Sequence, residues 1–532
     1  MSLAVVYTRA NCGLEAPLVT VETHLSNGLP GMAIVGLPET VVRESRERVR
    51  SAIINSGMTF PARRITVNLA PAELPKSGGR FDLAIALGIL AASAQIPGNA
   101  LARYEVLGEL ALTGQLRAVD GVLPALLAAR DNERTLLIPA ANAEEASLLR
   151  EVNAISAGDL LAICRSLQSQ AAGDQLHKCR YRPPARSDTF TDQPRLQDIH
   201  GHHLAKRAMM IAAAGAHNVL LCGPPGIGKT LLVNAMHGLL PPLTEEEALD
   251  VAAIRSVAGS GQRRSAGDWY QAPCRSPHHS TTGVAIVGGG RNSVPGEVSL
   301  AHRGVLFLDE LPEFPRAVLE TLREPLESGR ITISRVHGKV CYPARFQFLA
   351  AMNPCPCGYA TDETMACRCT AARIRKYLDR LSGPLLDRLD MTIAMERPTM
   401  LLSGAGLPGS GSSGASAQDD ARQNVLTTER VREQVLKCRD RQRARGVRNA
   451  ELTGESLLRH CALASDGQRL FEDLLRRRQL SVRTGHRLLR VARTIADLED
   501  ADNLAADHVA EAIGMRQLDV WLQQVAAPAA VV

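Results

Sequence analysis

Apolar and polar positions alternate in three different ways along this chain, and each way predicts a different kind of element. Up to residue 166, period-two runs (Leu18 to His24, Arg64 to Leu69) are interleaved with helix-period runs (Val41 to Ser56, Phe81 to Ala94, Val122 to Ala129). That is the pattern of an α/β domain over residues 1–166. From residue 195 to 398 the apolar runs are short and unbroken: Val219 to Cys222, Val305 to Leu308, Phe346 to Met352 and Met391 to Met395. Such runs suit strands buried on both faces, so a second α/β domain is expected there. Residues 421–532 read as helical throughout, with Leu488, Val491 and Ile495 forming an apolar stripe at helical spacing. Two stretches carry no periodicity. Residues 167–194, with Pro, Ser and Asp, read as a linker, and residues 399–420, rich in Gly and Ser, read as a flexible insertion. The fold class expected is α/β multidomain with a helical C-terminal lid.

Composition narrows this only a little. With 532 residues, 45% of them hydrophobic and 22% charged, the chain is long enough for about three globular domains and is neither disordered nor fibrous in character. The net charge of +6 is mild. More telling is the cluster Arg430, Arg432, Lys437, Arg439, Arg441, Arg443, Arg445 and Arg448 against Glu433 and Asp440, which could face DNA or a neighbouring subunit, a solvated helix face being the alternative. The start MSLAVVYTRANCG lacks a basic segment followed by an apolar core, and no run reaches the ~18 apolar residues of a membrane span. A cytoplasmic protein with no membrane partner is expected.

The candidate chemistry begins at Gly223-Pro224-Pro225-Gly226-Ile227-Gly228-Lys229-Thr230-Leu231. A strand, a glycine-rich turn and a helix follow one another here, and the spacing Gly223, Gly228, Lys229, Thr230 fits a phosphate-binding loop. Lys229 is expected on the β/γ-phosphates and Thr230 on Mg²⁺. The apolar run before Asp309-Glu310 delivers two carboxylates to the carboxyl end of a strand. Asp309 is expected in the Mg²⁺ shell and Glu310 beside the attacking water. Asn353, at the end of a third strand, is expected to contact the γ-phosphate or that water, the alternative being an ordinary turn asparagine before Pro354.

Three further stretches stand out. Four of the twelve cysteines fall together as Cys355-Pro-Cys357 and Cys367-Arg-Cys369, a set able to hold a structural Zn²⁺, with free thiols in a loop as the alternative. Ile331 to Tyr342 alternates about His337-Gly338 like a hairpin whose tip carries Arg335, His337 and Lys339. As phosphate contacts these cations would bind DNA without reading its sequence, unless they merely keep the tip soluble. Between Thr230 and Asp309 lies an insertion holding His278-His279 and Gly288-Gly289-Gly290-Arg291, expected to form a pore loop with Arg291 near DNA, or else a surface loop.

Taken in order, Gly223 to Thr230, Arg275-Ser-Pro-His-His-Ser-Thr-Thr-Gly, Gly288-Gly-Gly-Arg, Gly304 to Pro312, Asn353-Pro-Cys-Pro-Cys-Gly and Ser382-Gly-Pro-Leu-Leu-Asp-Arg-Leu-Asp closely resemble the magnesium-chelatase-like AAA+ family. Pro71-Ala-Glu-Leu-Pro-Lys-Ser-Gly-Gly-Arg and Leu107-Gly-Glu-Leu-Ala-Leu-Thr-Gly resemble the proteolytic domain of Lon-type proteases, which narrows the family to its ComM/YifB branch. Arg80 and Leu123 stand where Lon-type enzymes have their serine and lysine, so a scaffold without peptidase chemistry is expected; Ser77 would sit on the wrong part of the loop. The resemblance implies a hexameric, ATP- and Mg²⁺-dependent DNA helicase that promotes branch migration of recombination intermediates during natural transformation. Its implied partners are branched, single- and double-stranded DNA, with recombination proteins besides. It implies that Arg388 is an arginine finger and Arg483, or next Arg487, the second sensor. The hairpin resembles the pre-sensor hairpin of replicative helicases. A protein-remodelling ATPase and an ATP-assembled DNA-binding scaffold are the alternatives; ATP over GTP rests on the resemblance alone.

Overall fold

The computed structural model describes residues 3–36, 40–74, 76, 78–168, 176–184, 193–259, 267–290, 293–335, 338–362, 364–397, 427–477 and 481–518. Arg291, His337, Ser77 and the insertion 399–420 lie outside the described residues, as does the side chain of Arg335.

The N-terminal domain is a mixed eight-stranded sheet. Its middle is the antiparallel run Leu3–Arg9, Leu18–Ser26 and Arg64–Ala70. Helix Asp82–Ala92 is buried along its whole length, and it lies close because Gly88 presents no side chain: a Cβ there would stand 2.5 Å from Thr23 Oγ1. Part of the expected linker belongs to this sheet. His177–Lys178 pairs antiparallel with Ala154–Ala157, and Cys179 N–H donates to Ala154 O at 2.9 Å. An exposed two-residue edge strand has no buried face, so it leaves no apolar pattern to read.

The second domain is built on five parallel strands in the order Cys274–Arg275, Val305–Leu308, Gln347–Met352, Val219–Cys222, Met391–Ala394. All four expected strands are thus found within a residue of where their apolar runs placed them, and Cys274–Arg275 adds a fifth at the edge. Val219–Cys222 lies between two partners and is buried throughout. The chain crosses over between non-adjacent strands, so their carboxyl ends open onto one crevice.

Helices Thr428–Arg445, Gly454–His460, Ser465–Arg477, Val482–Leu498 and Ala506–Gly514 make the lid. Here the arginine cluster behaves differently from its expected outward role. Arg439 is buried and donates from Nε and Nη2 to Ala213 O at 3.0 and 2.8 Å, while Gln442 donates to Ala214 O at 2.8 Å. Both satisfy carbonyls at the end of helix His203–Gly215, which intrahelical bonds leave open. Arg445 pairs with Asp497 and Arg448 with Glu247 at 2.6 Å. Arg439, Gln442 and Arg448 fasten lid to motor, Arg445 ties one lid helix to another, and Arg430 and Lys437 remain exposed.

The N-terminal domain and the motor are fastened as well. Gly121 N–H donates to Ser256 O at 2.8 Å, Leu123 N–H to Ser256 Oγ at 3.2 Å, and Arg150 pairs with Glu245 at 2.7 Å. Val257, Ile331, Ile333 and Tyr342 form a small core that takes in Leu14 of the N-terminal domain. Among the described residues no helix is long and apolar enough to cross a membrane.

One buried ion pair gives a direct test of the first domain. Glu105 is fully buried against Arg9, whose Nη2 donates to Oε1 at 3.0 Å. Glu105→Gln leaves the guanidinium uncompensated and is expected to destabilise the N-terminal domain by about 3 kcal/mol, seen as a lower urea midpoint for that domain's unfolding.

Candidate functional site

The phosphate loop is shaped by its glycines. Gly226 (φ +77°) and Gly228 (φ +91°) take the left-handed conformation that side chains disfavour, and this turns the chain from strand Val219–Cys222 into helix Lys229–His237. Lys229 Nζ donates to Gly223 O at 2.7 Å, Pro224 O at 2.8 Å and Asn353 Oδ1 at 3.0 Å. Burial pushes the Lys229 ammonium down from its ordinary range, opposed by the Cys222 thiol and by the Asp309 and Glu310 carboxylates. A buried ammonium in that setting gains most from an added anion.

Asp309 arrives at the end of strand Val305–Leu308. Its Oδ2 accepts from Thr230 Oγ1 at 2.7 Å, close to the edge of about 2.9 Å that two neighbouring oxygens make around an octahedral Mg²⁺ with bonds of about 2.05 Å. Thr230 and Asp309 therefore fit the ion expected of them. Glu310 is held with φ +53°, a conformation that costs about 1 kcal/mol or more in a non-glycine residue. Asp309 Oδ1 accepts from the Glu310 N–H at 2.9 Å and steadies the turn. His279 is a neighbour that sequence reasoning did not assign: its Nδ1 lies 3.3 Å from Glu310 Oε2, with the ring edge-on to Phe314. The sequence places the histidine pair in an expected pore loop. The signal was its place in the Arg275-Ser-Pro-His-His string, but a contact from a separate segment has no sequence spacing.

The cysteines come together beside this loop. Cys355 Sγ lies 3.3 Å from Cys357 and 3.7 Å from Cys367, and Cys357 lies 3.5 Å from Cys367. All four ligand atoms, Cys369 included, fall within 4.8 Å of one another. A tetrahedral Zn²⁺ with Zn–S bonds of about 2.3 Å needs sulfur pairs about 3.8 Å apart, so the donor set fits. Backbone N–H groups of Arg368 and Tyr359 hold the Cys357 thiol down to about 6, which supplies a thiolate at neutral pH. The same knuckle packs on the phosphate loop: a Cβ on Gly358 (φ +88°) would stand 2.6 Å from Pro225 Cδ.

Two expected residues sit elsewhere. Arg388 donates from Nη1 to Pro384 O at 2.6 Å and from Nη2 to Glu327, rather than pairing with Asp387 or Asp390. With Arg483, Arg487 and Arg490 it lines an open basin of about 740 Å³ between motor and lid, and none of residues 223–231 lines that basin. Arg483 is exposed, whereas Arg487 donates to Leu389 O at 3.2 Å. Lys339 is exposed on the hairpin formed by Arg330–Arg335 and Gly338–Pro343. In the N-terminal domain Arg80 is buried at the start of a helix and Leu123 is core.

Three family matches cover most of the chain: magnesium chelatase, subunit ChlI, over residues 195–401; subunit ChlI of Mg-chelatase over residues 21–142; and the C-terminal part of magnesium chelatase subunit ChlI over residues 426–516. Competence protein ComM of Haemophilus influenzae is 48% identical over 527 residues, covering 98% of this chain and 99% of its own. The uncharacterized protein YifB of Salmonella typhimurium is 47% identical over 523 residues and 98% of each chain. More distantly, the DNA replication licensing factor MCM3 of Gallus gallus is 26% identical over 200 residues, 35% of this chain and 22% of its own.

The cysteine centre predicts its own metal content. Elemental analysis of the purified protein is expected to find one zinc per chain, falling to near none in Cys357→Ser. Because the knuckle rests on Pro225, chelation is expected to weaken nucleotide binding as well as to lower the melting temperature.

Proposed function

The chain belongs to the magnesium-chelatase-like family of ComM/YifB proteins, and from that membership we propose that it is a hexameric AAA+ ATPase that drives DNA branch migration on recombination intermediates during natural transformation, in the cytoplasm. The observation that carries this reading is the separation of the nucleotide site into two halves. Lys229, Thr230, Asp309, Glu310 and Asn353 converge at one edge of the parallel sheet, while Arg388 and Arg483 share a basin to which the phosphate loop contributes nothing. A subunit therefore offers a phosphate cradle on one face and arginines on another, and a ring of copies brings the two together.

The chemistry follows from these positions. Backbone N–H groups of the loop and Lys229 bind the β- and γ-phosphates. Thr230 and Asp309 would hold Mg²⁺, which when bound neutralises phosphate charge. Glu310 orients the attacking water and takes its proton, with Asn353 fixing the water or the γ-phosphate beside Lys229. Arg388 of a neighbouring copy stabilises the charge that builds on the transferred group, and Arg483, with Arg487 behind it, links the phosphate's presence to the lid. At the lid–motor seam, Arg439 would carry lid movement to helix His203–Gly215 and Arg448 to Glu247 of helix Glu245–Ala258.

For DNA, the support lies in the hairpin. Its base is buried through Ile331, Ile333 and Tyr342, so Lys339 is carried on a firm stem, and Arg335, His337 and Arg291 are proposed as further phosphate contacts. The printed name of the Gallus relative, a DNA replication licensing factor, agrees with DNA work, and that of the Haemophilus relative names competence. A protein-remodelling ATPase remains the second reading because the chelatase subunit shares the motor, and an ATP-assembled DNA-binding scaffold the third.

Rings mixed from two inactive variants test the shared site. Arg388→Ala is expected to bind ATP and hydrolyse it about 10³-fold more slowly or worse, and Lys229→Ala to lose nucleotide binding. Mixed together they should recover hydrolysis, since some interfaces regain an intact half from each; no recovery rules out a finger acting between subunits. Unwinding of a branched DNA by wild type but not by Glu310→Gln is expected. Hydrolysis without strand movement would point to protein remodelling, and DNA-bound rings without hydrolysis to the scaffold.

A further inference from the structure

The hairpin of Arg330–Arg335 and Gly338–Pro343 forms a two-stranded sheet of its own. Thr332, Ser334, Lys339 and Cys341 are exposed on one face. The other face is apolar, with Ile331 opposite Tyr342 and Ile333 opposite Val340. Two strands alone are marginal in water, so such a pair is held in place by whatever covers its apolar face. Here the cover is shared: Val257 from the end of helix Glu245–Ala258, Val287 from the insertion, and Leu14 from the N-terminal domain pack against it. Tyr342 Oη ties the insertion further, donating to Ser293 O at 2.8 Å.

Leu14 is delivered by a stiff turn. Cys12 N–H donates to Glu15 O at 3.0 Å, Glu15 N–H donates back to Cys12 O at 3.2 Å, and one step down the ladder Ala10 N–H donates to Pro17 O at 3.0 Å. The two-residue turn Gly13-Leu14 thereby continues the pairing of Leu3–Arg9 with Leu18–Ser26, two strands inside the eight-stranded sheet. Gly13 takes φ +69°, the left-handed conformation that such turns call for at their first central position. It also lets the turn lie directly on the hairpin: a Cβ on Gly13 would stand 2.4 Å from Val340 Cγ1 and 3.6 Å from Tyr342 Cζ. Close by, a Cβ on Gly121 would meet the Asn11 carboxamide at 3.1 Å, and the Gly121 N–H bonds Ser256 O, next to Val257. The same end of the N-terminal sheet therefore touches both the hairpin and the helix that supports it.

We propose that the turn Cys12–Glu15 of the N-terminal domain is the positioning element of the hairpin: it fixes the place of Lys339 and the exposed face, and takes up the force that a moving polynucleotide backbone exerts on them. Gly13 and Leu14 act through Val340 and Tyr342 and touch no phosphate themselves. The N-terminal domain thereby serves the motor as a backstop. This role rests on the hairpin being a DNA contact, as proposed above, whereas the packing of Leu14 on the hairpin can be read without DNA.

Leu14→Asp tests this in the full chain, with Leu14→Met as the conservative control. Leu14 is half-buried and lies outside the core of the N-terminal sheet, so that domain keeps its own packing. Hydrogen exchange without DNA reads the contact. Amides of Arg330–Arg335 and Gly338–Pro343 are expected to exchange about tenfold faster in Leu14→Asp, the factor that losing half a leucine's burial gives, and at the wild-type rate in Leu14→Met. Activity reads the positioning. In Leu14→Asp, ATP hydrolysis without DNA is expected to stay at the wild-type rate while unwinding of a branched DNA falls several-fold, and Leu14→Met is expected to restore it. Unchanged exchange in Leu14→Asp overturns the contact whatever happens to unwinding, and a fall in DNA-free hydrolysis alongside unwinding reduces the turn to a structural part. Faster exchange with full unwinding overturns the positioning role, and Lys339→Ala then locates the fault. If that variant fails to unwind, the hairpin works on DNA without a backstop; if it unwinds normally, the hairpin is no DNA contact.

Discussion

The bond from Lys229 Nζ to Asn353 Oδ1 at 3.0 Å exists because two strands far apart in sequence lie side by side. Val219–Cys222 and Gln347–Met352 are parallel and in register, Cys222 opposite Met352, so the residues that follow each strand emerge together. With Val305–Leu308 on the far side of Gln347–Met352, three strand ends place a lysine, a carboxylate pair and an asparagine around one crevice. A one-residue slip in either pairing would put these strand ends out of step and draw apart the residues that follow them. The sheet's register is thus the constraint on which the phosphate chemistry depends.

What surrounds that crevice is held by different means on each side. On one wall the cysteine knuckle leans on Pro225 of the phosphate loop. On another, His279 faces Glu310 from a segment that also carries Arg275, paired to Glu297. Ile227 of the loop packs on the main core, and these polar contacts add to that support locally.

Arginine serves two unlike purposes in this molecule. Arg439, Arg445, Arg448 and Arg493 turn inward to carbonyls and carboxylates, and their planar forks knit helices that would otherwise leave buried acceptors open. Arg388, Arg483 and Arg487 instead gather around an open basin. Arg483 and Arg487 share helix Val482–Leu498 with the inward-turned Arg493. Only the partners separate a fastening from a phosphate contact, and partners belong to the fold.

Sequence by itself determined the elements and the donor types. Strands such as Val219–Cys222 and Val305–Leu308 were legible because a four-residue apolar run bounded by turn residues fits a strand buried on both faces, and the Gly226–Gly228 turn because glycine readily takes its backbone angles. The four-cysteine set was legible from close spacing. Tertiary structure alone decided which distant residues meet: His279 with Glu310, Arg388 with Glu327 rather than its neighbouring aspartates, Arg439 with the end of helix His203–Gly215, and His177–Lys178 with the sheet it was expected merely to follow. Local propensity and periodicity act over a turn or a strand, whereas these contacts join segments tens to hundreds of residues apart, and their geometry is set by how whole sheets and helices pack.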